Sequence, residues 1–330
     1  MDTQQRRRRL LLGGMAGTLG AAAGATARPA LAQSGYPTRA ITIVNPFAPG
    51  SVSDAAARIT AELLSEGLGQ AVVVENRVGA GGLLAGRAVA RAEPDGYTLL
   101  LTASSSHSGT ALYKSMPFDP VNDFTHIARI GSFPSFIAVN PSLPIHSITE
   151  LVEYAKKNPG KLSYGHGNNM GQIVGESLKR RTGIDIVRVG YRSNPAAVVD
   201  LIAGHIQVMM PDLNTGLSHV KSGKIRPLAV FTKARSAEMP SVPTLHETVM
   251  PGFELLPWCG LSAPANLPPS IVQRLSDVLE ASMKRPAVRE RFLQSGVGPF
   301  WGDHNEFKAY VVQQLENWTA LIKEADIEPS

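Results

Sequence analysis

Three short apolar runs follow one another early in this chain, and each ends in a loop of small residues. The runs lie at 41–44, 71–74 and 97–102, and helical spacing follows the first two, at 54–67 and 82–91. Strands joined through helices run parallel, with right-handed crossovers, so this alternation predicts a parallel α/β sheet. The end of a strand that leads into a helix presents unpaired backbone N–H groups, so the same loops predict an anion site.

The alternation then resumes with different residues, which predicts a second sheet. Strands are predicted at 136–139, 162–164, 186–189, 208–210 and 228–231, and helices at 147–158, 173–182, 196–203 and up to 222. The last third is more helical, with helical spacing over 269–284, 287–294 and 305–325. Residues 133–134 and the Pro-rich stretch 250–269 are the expected crossings between two lobes. We therefore predict lobes at 33–134 plus 256–330 and at 135–255, with a hinged ligand cleft at the strand ends.

Residues 1–32 are predicted to be a cleavable export signal. Four arginines at 6–9 precede an apolar run at 10–25, and Ala30-Leu-Ala32 matches the small-x-small pattern with the cut before Gln33. The arginines also allow a twin-arginine signal in place of a Sec signal. An uncleaved membrane anchor is the alternative, which we disfavour because the run is short and Gly-rich for a span.

Charge and cysteine content exclude several classes of protein. Residues 1–32 carry five arginines and one aspartate, a sum of +4, whereas the whole chain is +5, so the mature protein is about +1. The high isoelectric point therefore does not indicate nucleic-acid binding. The single cysteine, Cys259, excludes an internal disulfide and any multi-cysteine metal site, and we expect it in the core. An exported protein without disulfides fits a Gram-negative periplasm.

A series of short motifs runs in order through the chain. They include Pro46-Phe-Ala-Pro-Gly50 with Asp54 and Arg58, Val74-Glu-Asn-Arg77 with Gly79-Ala-Gly-Gly82, Pro94-Asp-Gly-Tyr97, Phe118-Asp-Pro120, and Gly223-Lys-Ile-Arg-Pro-Leu-Ala229. Together they resemble the Bug receptors, which are the solute-binding components of tripartite tricarboxylate transporters. The resemblance covers essentially the whole mature chain.

The resemblance implies an α/β, two-lobed periplasmic binding protein of type II-like fold. Such a receptor captures a small carboxylate in a hinged cleft and delivers it to membrane subunits of the transporter. Family members typically grip the carboxylate with loop backbones and bridging waters. We expect a monomer that is not an enzyme, has no cofactor or metal and binds no nucleic acid.

Two loops of the first lobe supply candidate ligand contacts. In the first we expect Phe47 to line the floor of the cleft and the loop's N–H groups to hold a carboxylate. That loop comprises Ala48, Pro49, Gly50 and Ser51. Its alternative role is a tight strand–helix connection. In the loop after 97–102, Ser104, Ser105 and His107 offer hydroxyl and imidazole groups to the ligand. A Ser/His hydrolase is the alternative there, although the chain has no GxSxG elbow.

Two loops of the second lobe are expected to determine selectivity. The first supplies His166, Gly167, Asn168 and Asn169, where His166 is either a contact to a second polar group of the ligand or a solvent-facing side chain.

In the next loop, Tyr191 and Arg192 follow a strand, and Arg192 is either a bidentate carboxylate clamp or a surface residue at the rim. Asp212 is expected to accept a hydrogen bond from a ligand hydroxyl or amine, or to orient Arg192.

These two loops supply more hydrogen-bond donors than backbone amides alone, through His166, Asn168, Asn169 and Arg192. That favours a ligand with two polar ends, such as an aliphatic or aromatic dicarboxylate or a tricarboxylate. A receptor that must release its cargo is expected to bind it with a dissociation constant of about 1 μM. An orphan receptor that feeds a sensor remains an alternative on the sequence alone.

Overall fold

Two sheets with helices packed against them make up residues 35–329, the part of the chain that this computed structural model describes. The predicted export signal at 1–32 lies outside these residues. The strands are β1 (Ile41–Asn45), β2 (Val72–Asn76), β3 (Thr98–Ala103), β4 (Phe124–Ser132), β5 (Phe136–Val139), β6 (Ser163–His166), β7 (Val187–Gly190), β8 (Val208–Met209), β9 (Arg226–Val230), β10 (Trp258–Pro264) and β11 (Gly298–Gly302).

The helices are α1 (Val52–Leu68), α2 (Leu83–Ala90), α3 (Ser104–His107), α4 (Ile148–Lys157), α5 (Asn169–Thr182), α6 (Asn194–Ala203), α7 (Leu213–Lys221), α8 (Pro269–Met283), α9 (Pro286–Gln294) and α10 (His304–Glu324). Short 3-10 turns lie at Ala80–Gly82 and Gly109–Leu112. Within the described range, none of the helices is long and apolar enough to cross a lipid bilayer.

The first sheet has the strand order β11-β4-β10-β3-β1-β2. β1 pairs in parallel with β2 and β3, which confirms the prediction from the early alternation. β10, β4 and β11 pair antiparallel, and the sequence analysis predicted none of them as strands. It expected an extended crossing between the lobes within 250–269 and no strand of the first sheet there, whereas residues 258–264 form a central strand of that sheet. All of β10 is buried, including Cys259, so its sequence has no apolar–polar alternation.

The second sheet has the order β7-β6-β8-β5-β9. β6 runs parallel to β7 and β8, whereas β5 runs antiparallel to β8 and β9. All five strands predicted in this region are present, with ends within two residues of the prediction. Helix α5 begins four residues earlier than predicted, because the Asn168 side chain caps it by accepting a hydrogen bond from the Gly171 N–H.

The C-terminal helix α10 contributes to the core of the second sheet. Trp318 and Ile322 are buried in the same cluster as Leu178 of α5 and Phe253. Near the end of α10, Glu324 accepts two hydrogen bonds from Arg181 of α5. A helix from the far end of the chain therefore packs against α5, which in turn lies on the second sheet.

Four helices start directly after strands and begin at the carboxyl ends of those strands. α1 follows β1, α5 follows β6, α6 follows β7, and α7 follows β8. In α/β proteins this edge of the sheet is where ligands bind. The two sheets thus place four helix N-termini where the sequence analysis expected a cleft.

Candidate functional site

A cavity with an empty volume of about 500 Å³, part of which opens to solvent, lies among these four helix N-termini. The part of the chain that forms the first sheet and the part that forms the second sheet both contribute residues to its wall. It is lined by Phe47, Ser51, Val52, Ser53, Ser105, Phe133, Ser135, Gly167, Asn168, Met170, Ser193, Asn194, Asp212 and Pro257. This lining contains no lysine or arginine.

The N-cap residues of all four helices line the cavity. Ser51, Asn168, Ser193 and Asp212 each accept a hydrogen bond from an N–H of the first turn of the helix that they cap. The remaining first-turn N–H groups have no partner within the helix, and the helix dipole adds partial positive charge at this end. Four such ends around one cavity favour an anion without the need for a cationic side chain.

Hydrogen bonds from two asparagines fix the loop between β1 and α1. The Nδ2 groups of Asn45 and Asn76 donate to the Phe47 carbonyl at 3.0 and 2.9 Å. Asp54 accepts from the Gly50 N–H at 3.0 Å and from Arg58 at 3.0 Å. Burial would raise the pKa of Asp54, but hydrogen bonds from Arg58, Asn76 and Gly50 outweigh it and hold the pKa below its usual value.

The loop's own amides are therefore mostly engaged. The Gly50 N–H donates to Asp54, and the Ser51 N–H donates to the Ala48 carbonyl at 3.2 Å. The contact through the N–H groups of 48–51 stays a prediction, although Pro49 has no N–H and those of Gly50 and Ser51 are bonded within the loop. The next two residues, Val52 and Ser53, line the cavity, and their N–H groups have no acceptor within α1.

A chain of hydrogen bonds joins three of the wall segments. The Gly167 N–H donates to Asn194 Oδ1 at 3.2 Å, and Asn194 Nδ2 donates to Asp212 Oδ2 at 2.7 Å. Asp212 Oδ1 in turn accepts from the N–H and the hydroxyl of Thr215 at 3.0 and 2.9 Å. The starts of α6 and α7 and the loop before α5 are held in one fixed arrangement.

Two asparagines connect the part that carries the second sheet to the part that carries the first. Asn169 Nδ2 donates to the Ser105 carbonyl at 3.0 Å and to Tyr113 Oη at 2.8 Å. Asn214 Nδ2 donates to the Gly50 carbonyl at 3.2 Å. The sequence analysis expected Asn169 to contact ligand, whereas its amide nitrogen here bridges the cleft.

Of the residues predicted to bind ligand, the structure brings six to the cavity wall: Phe47, Ser51, Ser105, Gly167, Asn168 and Asp212. It does not bring there Ala48, Pro49, Gly50, Ser104, His107, His166, Asn169, Tyr191 or Arg192. Ser104 Oγ instead accepts a hydrogen bond from the backbone N–H of Trp258 at 3.3 Å, which fixes α3 against β10.

His107 belongs to the core. It is fully buried, and its ring lies 5.4 Å from that of Phe118 and 4.9 Å from that of Phe124. Burial, with a smaller effect from His126, lowers the pKa of His107 well below its usual value. The position after three serines suggested a polar loop, but α3 turns the imidazole away from the cavity into the aromatic cluster.

The side chains at the start of the second-lobe loops also point elsewhere. His166 Nδ1 donates to the Asn168 carbonyl at 3.2 Å, and burial lowers the pKa of the ring. Tyr191 Oη donates to Asp200 at 2.7 Å, and burial together with this carboxylate raises its pKa to about 12. Arg192 is exposed and has no hydrogen bond or ion pair to any described residue.

The sequence analysis missed eight lining residues: Val52, Ser53, Phe133, Ser135, Met170, Ser193, Asn194 and Pro257. Several of them lie only one or two residues beyond a predicted contact. Ser193 and Asn194 follow Arg192 directly, and the signal for them was the Ser-Asn-Pro start of a helix. No three His, Cys, Asp or Glu side chains between residues 35 and 329 are grouped so that they could hold a metal ion.

Comparison with known proteins decides the family. Residues 56–327 match the model of the tripartite tricarboxylate transporter family receptor. The chain belongs to this family. It is therefore a solute-binding receptor, as the resemblance of its sequence motifs to the Bug receptors implied.

Individual relatives agree in length and fold. The Bordetella pertussis protein BugT is 32% identical over 293 residues, which is 88% of this chain and 90% of BugT. The solved structure of R. palustris Rpa4515 with adipate has a TM-score of 0.86 at 32% identity and covers 89% of this chain and 100% of that one. Rhodopseudomonas palustris MatC with bound malate has a TM-score of 0.80 at 26% identity and covers 87% and 100%. The chain accordingly has the two-lobed α/β fold of periplasmic binding proteins, as predicted.

Replacement of Arg192 by alanine tests whether a cation outside the wall contributes to binding. Because the guanidinium is exposed and the cavity wall holds no cation, we expect Arg192→Ala to change the dissociation constant of a carboxylate by less than about threefold. Isothermal titration calorimetry at low salt measures this. A tenfold or larger loss would instead assign Arg192 the bidentate role that the sequence suggested.

Proposed function

We propose that the mature protein is a periplasmic receptor that captures a small carboxylate and delivers it to the membrane subunits of a tripartite tricarboxylate transporter. The observation that carries this proposal is the cavity with four helix N-termini and no basic side chain. Two relatives of the same fold have adipate and malate bound. A dicarboxylate or tricarboxylate of similar size is the proposed cargo.

The carboxylate is held between two sets of backbone groups in this proposal. On one side it meets the first-turn N–H groups of Val52 and Ser53, with Phe47 as an apolar floor. On the other side it meets the starts of α5 and α6, where Asn168 and Asn194 line the wall. Charge stabilisation by oriented amides needs no reorganisation of long side chains, which suits a receptor that must release its ligand.

Closure is proposed to occur between lobes formed by 33–134 plus 256–330 and by 135–255. The cleft-bridging hydrogen bonds of Asn169 and Asn214 are possible only when the two parts are close together. Ligand and bridges therefore stabilise the same closed arrangement. The precursor is proposed to reach the periplasm through its 1–32 signal, of Sec or twin-arginine type, and to act as a monomer.

The carboxylate class is tested by a thermal-shift screen of the mature protein against aliphatic and aromatic mono-, di- and tricarboxylates. A ligand that binds only the folded state at 100 times its dissociation constant adds about 2.7 kcal/mol to the stability, so a hit is easily measured. Native mass spectrometry of gently purified protein complements the screen. The proposal fails if no carboxylate raises the melting temperature and none co-purifies.

Asn169→Ala tests the bridge across the cleft. It removes both hydrogen bonds from the second part of the chain to Ser105 and Tyr113 and leaves the cavity wall in place. We expect about tenfold weaker binding of a hit from the screen, from loss of about 1.4 kcal/mol in the closed state, with a faster dissociation rate.

Stopped-flow fluorescence and small-angle X-ray scattering measure the dissociation rate and the closure. Asn317→Ala, which changes an exposed asparagine of α10, is the control. Unchanged affinity and dissociation rate in Asn169→Ala would show that the bridge does not contribute to closure.

We also propose that the protein is not a hydrolase. Ser106 Oγ lies 3.1 Å from His107 Nδ1, but His107 Nε2 is buried with no partner among the described residues, and the ring does not line the cavity. A catalytic pair must reach the substrate. Turnover of a chromogenic ester by the wild type that is lost in His107→Ala would contradict this proposal.

A further inference from the structure

One wall of the cavity carries a carboxylate, which is unexpected in a site for an anion. Asp212 is the one charged side chain in the lining and is only 3% exposed. Its Oδ1 accepts two hydrogen bonds from Thr215, and its Oδ2 accepts one from Asn194. A carboxylate oxygen can accept two, so Oδ2 has capacity for one more donor.

Asn194 lies beside Asp212 on the same wall and also has unused capacity. Its Oδ1 accepts from the Gly167 N–H, and one hydrogen of its Nδ2 goes to Asp212. The amide has a second hydrogen, for which the described residues provide no acceptor. The cavity wall therefore offers a free hydrogen-bond donor and a free acceptor on adjacent side chains.

Both groups are held in place before any ligand arrives. Asp212 is the N-cap of α7, and its backbone also forms an isolated bridge with Ser135. Asn194 is the first residue of α6 and is 5% exposed. Because this pair cannot turn towards bulk water, a ligand that lacks matching groups leaves it unpaired, and unpaired buried polar groups are costly.

A second carboxylate of the ligand at this position would be repelled by Asp212, and a methylene group would leave Oδ2 dehydrated. A group that presents an N–H or O–H next to a carboxylate oxygen satisfies both neighbours. We propose that the cavity selects carboxylates bearing a hydroxyl or ammonium group on the carbon next to the carboxylate. Asp212 accepts from that group, and Asn194 donates to the carboxylate.

This inference rests on the proposed carboxylate receptor and narrows its ligand class. Matched sets that differ only at the second carbon test it: succinate, malate and aspartate; glutarate, 2-hydroxyglutarate and glutamate; adipate, 2-hydroxyadipate and 2-aminoadipate; phenylacetate, mandelate and phenylglycine. In the best-fitting set, calorimetry should give at least tenfold tighter binding for a substituted acid than for its plain parent. Preference for the amine over the hydroxyl acid identifies the ammonium group as the donor, and the reverse order identifies the hydroxyl.

Asp212→Asn connects the preference to this side chain. Asparagine also caps helices well, so α7 should still form, but the free acceptor beside Asn194 is lost. In this variant the dissociation constants of the plain acid and of its substituted partner should differ by no more than about threefold. Asp303→Asn, the same change at the N-cap of α10 outside the cavity, should leave the ratio as in wild type.

The outcomes separate this inference from the proposed function. If plain acids bind as tightly as their substituted partners, or if Asp212→Asn keeps the wild-type ratio, the inference is wrong and the carboxylate receptor stands. If no acid of any set binds and none is found in the wider screen, both fail together.

Discussion

Gly167→Ala is expected to weaken carboxylate binding by at least about 100-fold, or roughly 3 kcal/mol. An added Cβ at this position would lie 2.2 Å from the backbone nitrogen of Asn194 and 2.2 Å from the carbonyl carbon of Ser193. Backbone atoms cannot turn aside as a flexible side chain does, so the loop after β6 must move away from the start of α6. That movement breaks the Gly167 hydrogen bond to Asn194 and separates two walls of the cavity.

Calorimetry with the best ligand from the carboxylate screen measures the loss, and circular dichroism with urea unfolding shows whether the variant is folded. Gly190→Ala is the matched control, because its Cβ would have its nearest neighbour, His166 Nε2, at an ordinary 3.7 Å. It adds the same methyl group at the end of the next strand, β7. Binding by Gly167→Ala within threefold of the control would mean that the close packing of Gly167 on α6 does not shape the site.

The sequence predicts this fold best where the chain alternates between strand and helix. β1, β2 and β3 were predicted because each is a short apolar run that ends in a loop of small residues, and helices separate the three runs. β4, β10 and β11 were missed because their partners are distant in sequence, and local patterning does not encode a pairing such as that of β10 with β3. The buried stretch 258–264 also contains Gly260, where an added Cβ would lie 2.2 Å from the ring of Phe307. Glycine is uncommon inside strands, so this residue made the strand harder to predict.

The candidate site was predicted to the loop but often not to the residue. The sequence marks where a helix begins, yet it does not say which side chains turn inward. Asn168 and Asp212 reach the cavity because each is an N-cap at a strand end, whereas Arg192 lies just before its cap, Ser193, and projects to solvent. Bonds such as that from Gly50 to Asp54 then decide which amides remain available to a ligand.

His107 illustrates the same limit and leads to a prediction about pH. Its ring centroid lies 6.5 Å from that of His126, and both Nε2 atoms are buried with no hydrogen-bond partner among the described residues. Ser262 Oγ accepts from Thr102 at 2.6 Å, so its own hydrogen can be donated to His126 Nδ1 at 3.1 Å. That arrangement fits a neutral imidazole at His126, and a proton added to the fully buried ring of His107 would lie among apolar aromatic side chains.

Stability is therefore expected to fall as the pH drops below about 6.5, the usual pKa of histidine. Burial, and to a lesser degree the charges of Lys308 and His304, lower the pKa of His126 to about 4. Between pH 6.5 and pH 4 the unfolded chain binds a proton at this histidine that the folded chain does not bind. The free energy of unfolding therefore rises with pH in this range and decreases on acidification. For His126 alone this amounts to about 3 kcal/mol between pH 7 and pH 4, and the lowered pKa of His107 adds to it.

Urea unfolding from pH 7 to pH 4.5 measures this dependence, and the imidazole resonances in NMR show which rings titrate. His126→Asn keeps an acceptor for Ser262, so we expect a less stable but folded protein with a shallower dependence on pH. The exposed His146, replaced in the same way, should leave the slope as in wild type. If the His126 resonance titrates near pH 6.5 in the folded protein, the imidazole reaches solvent, and the aromatic cluster around His107 is not the closed core described above.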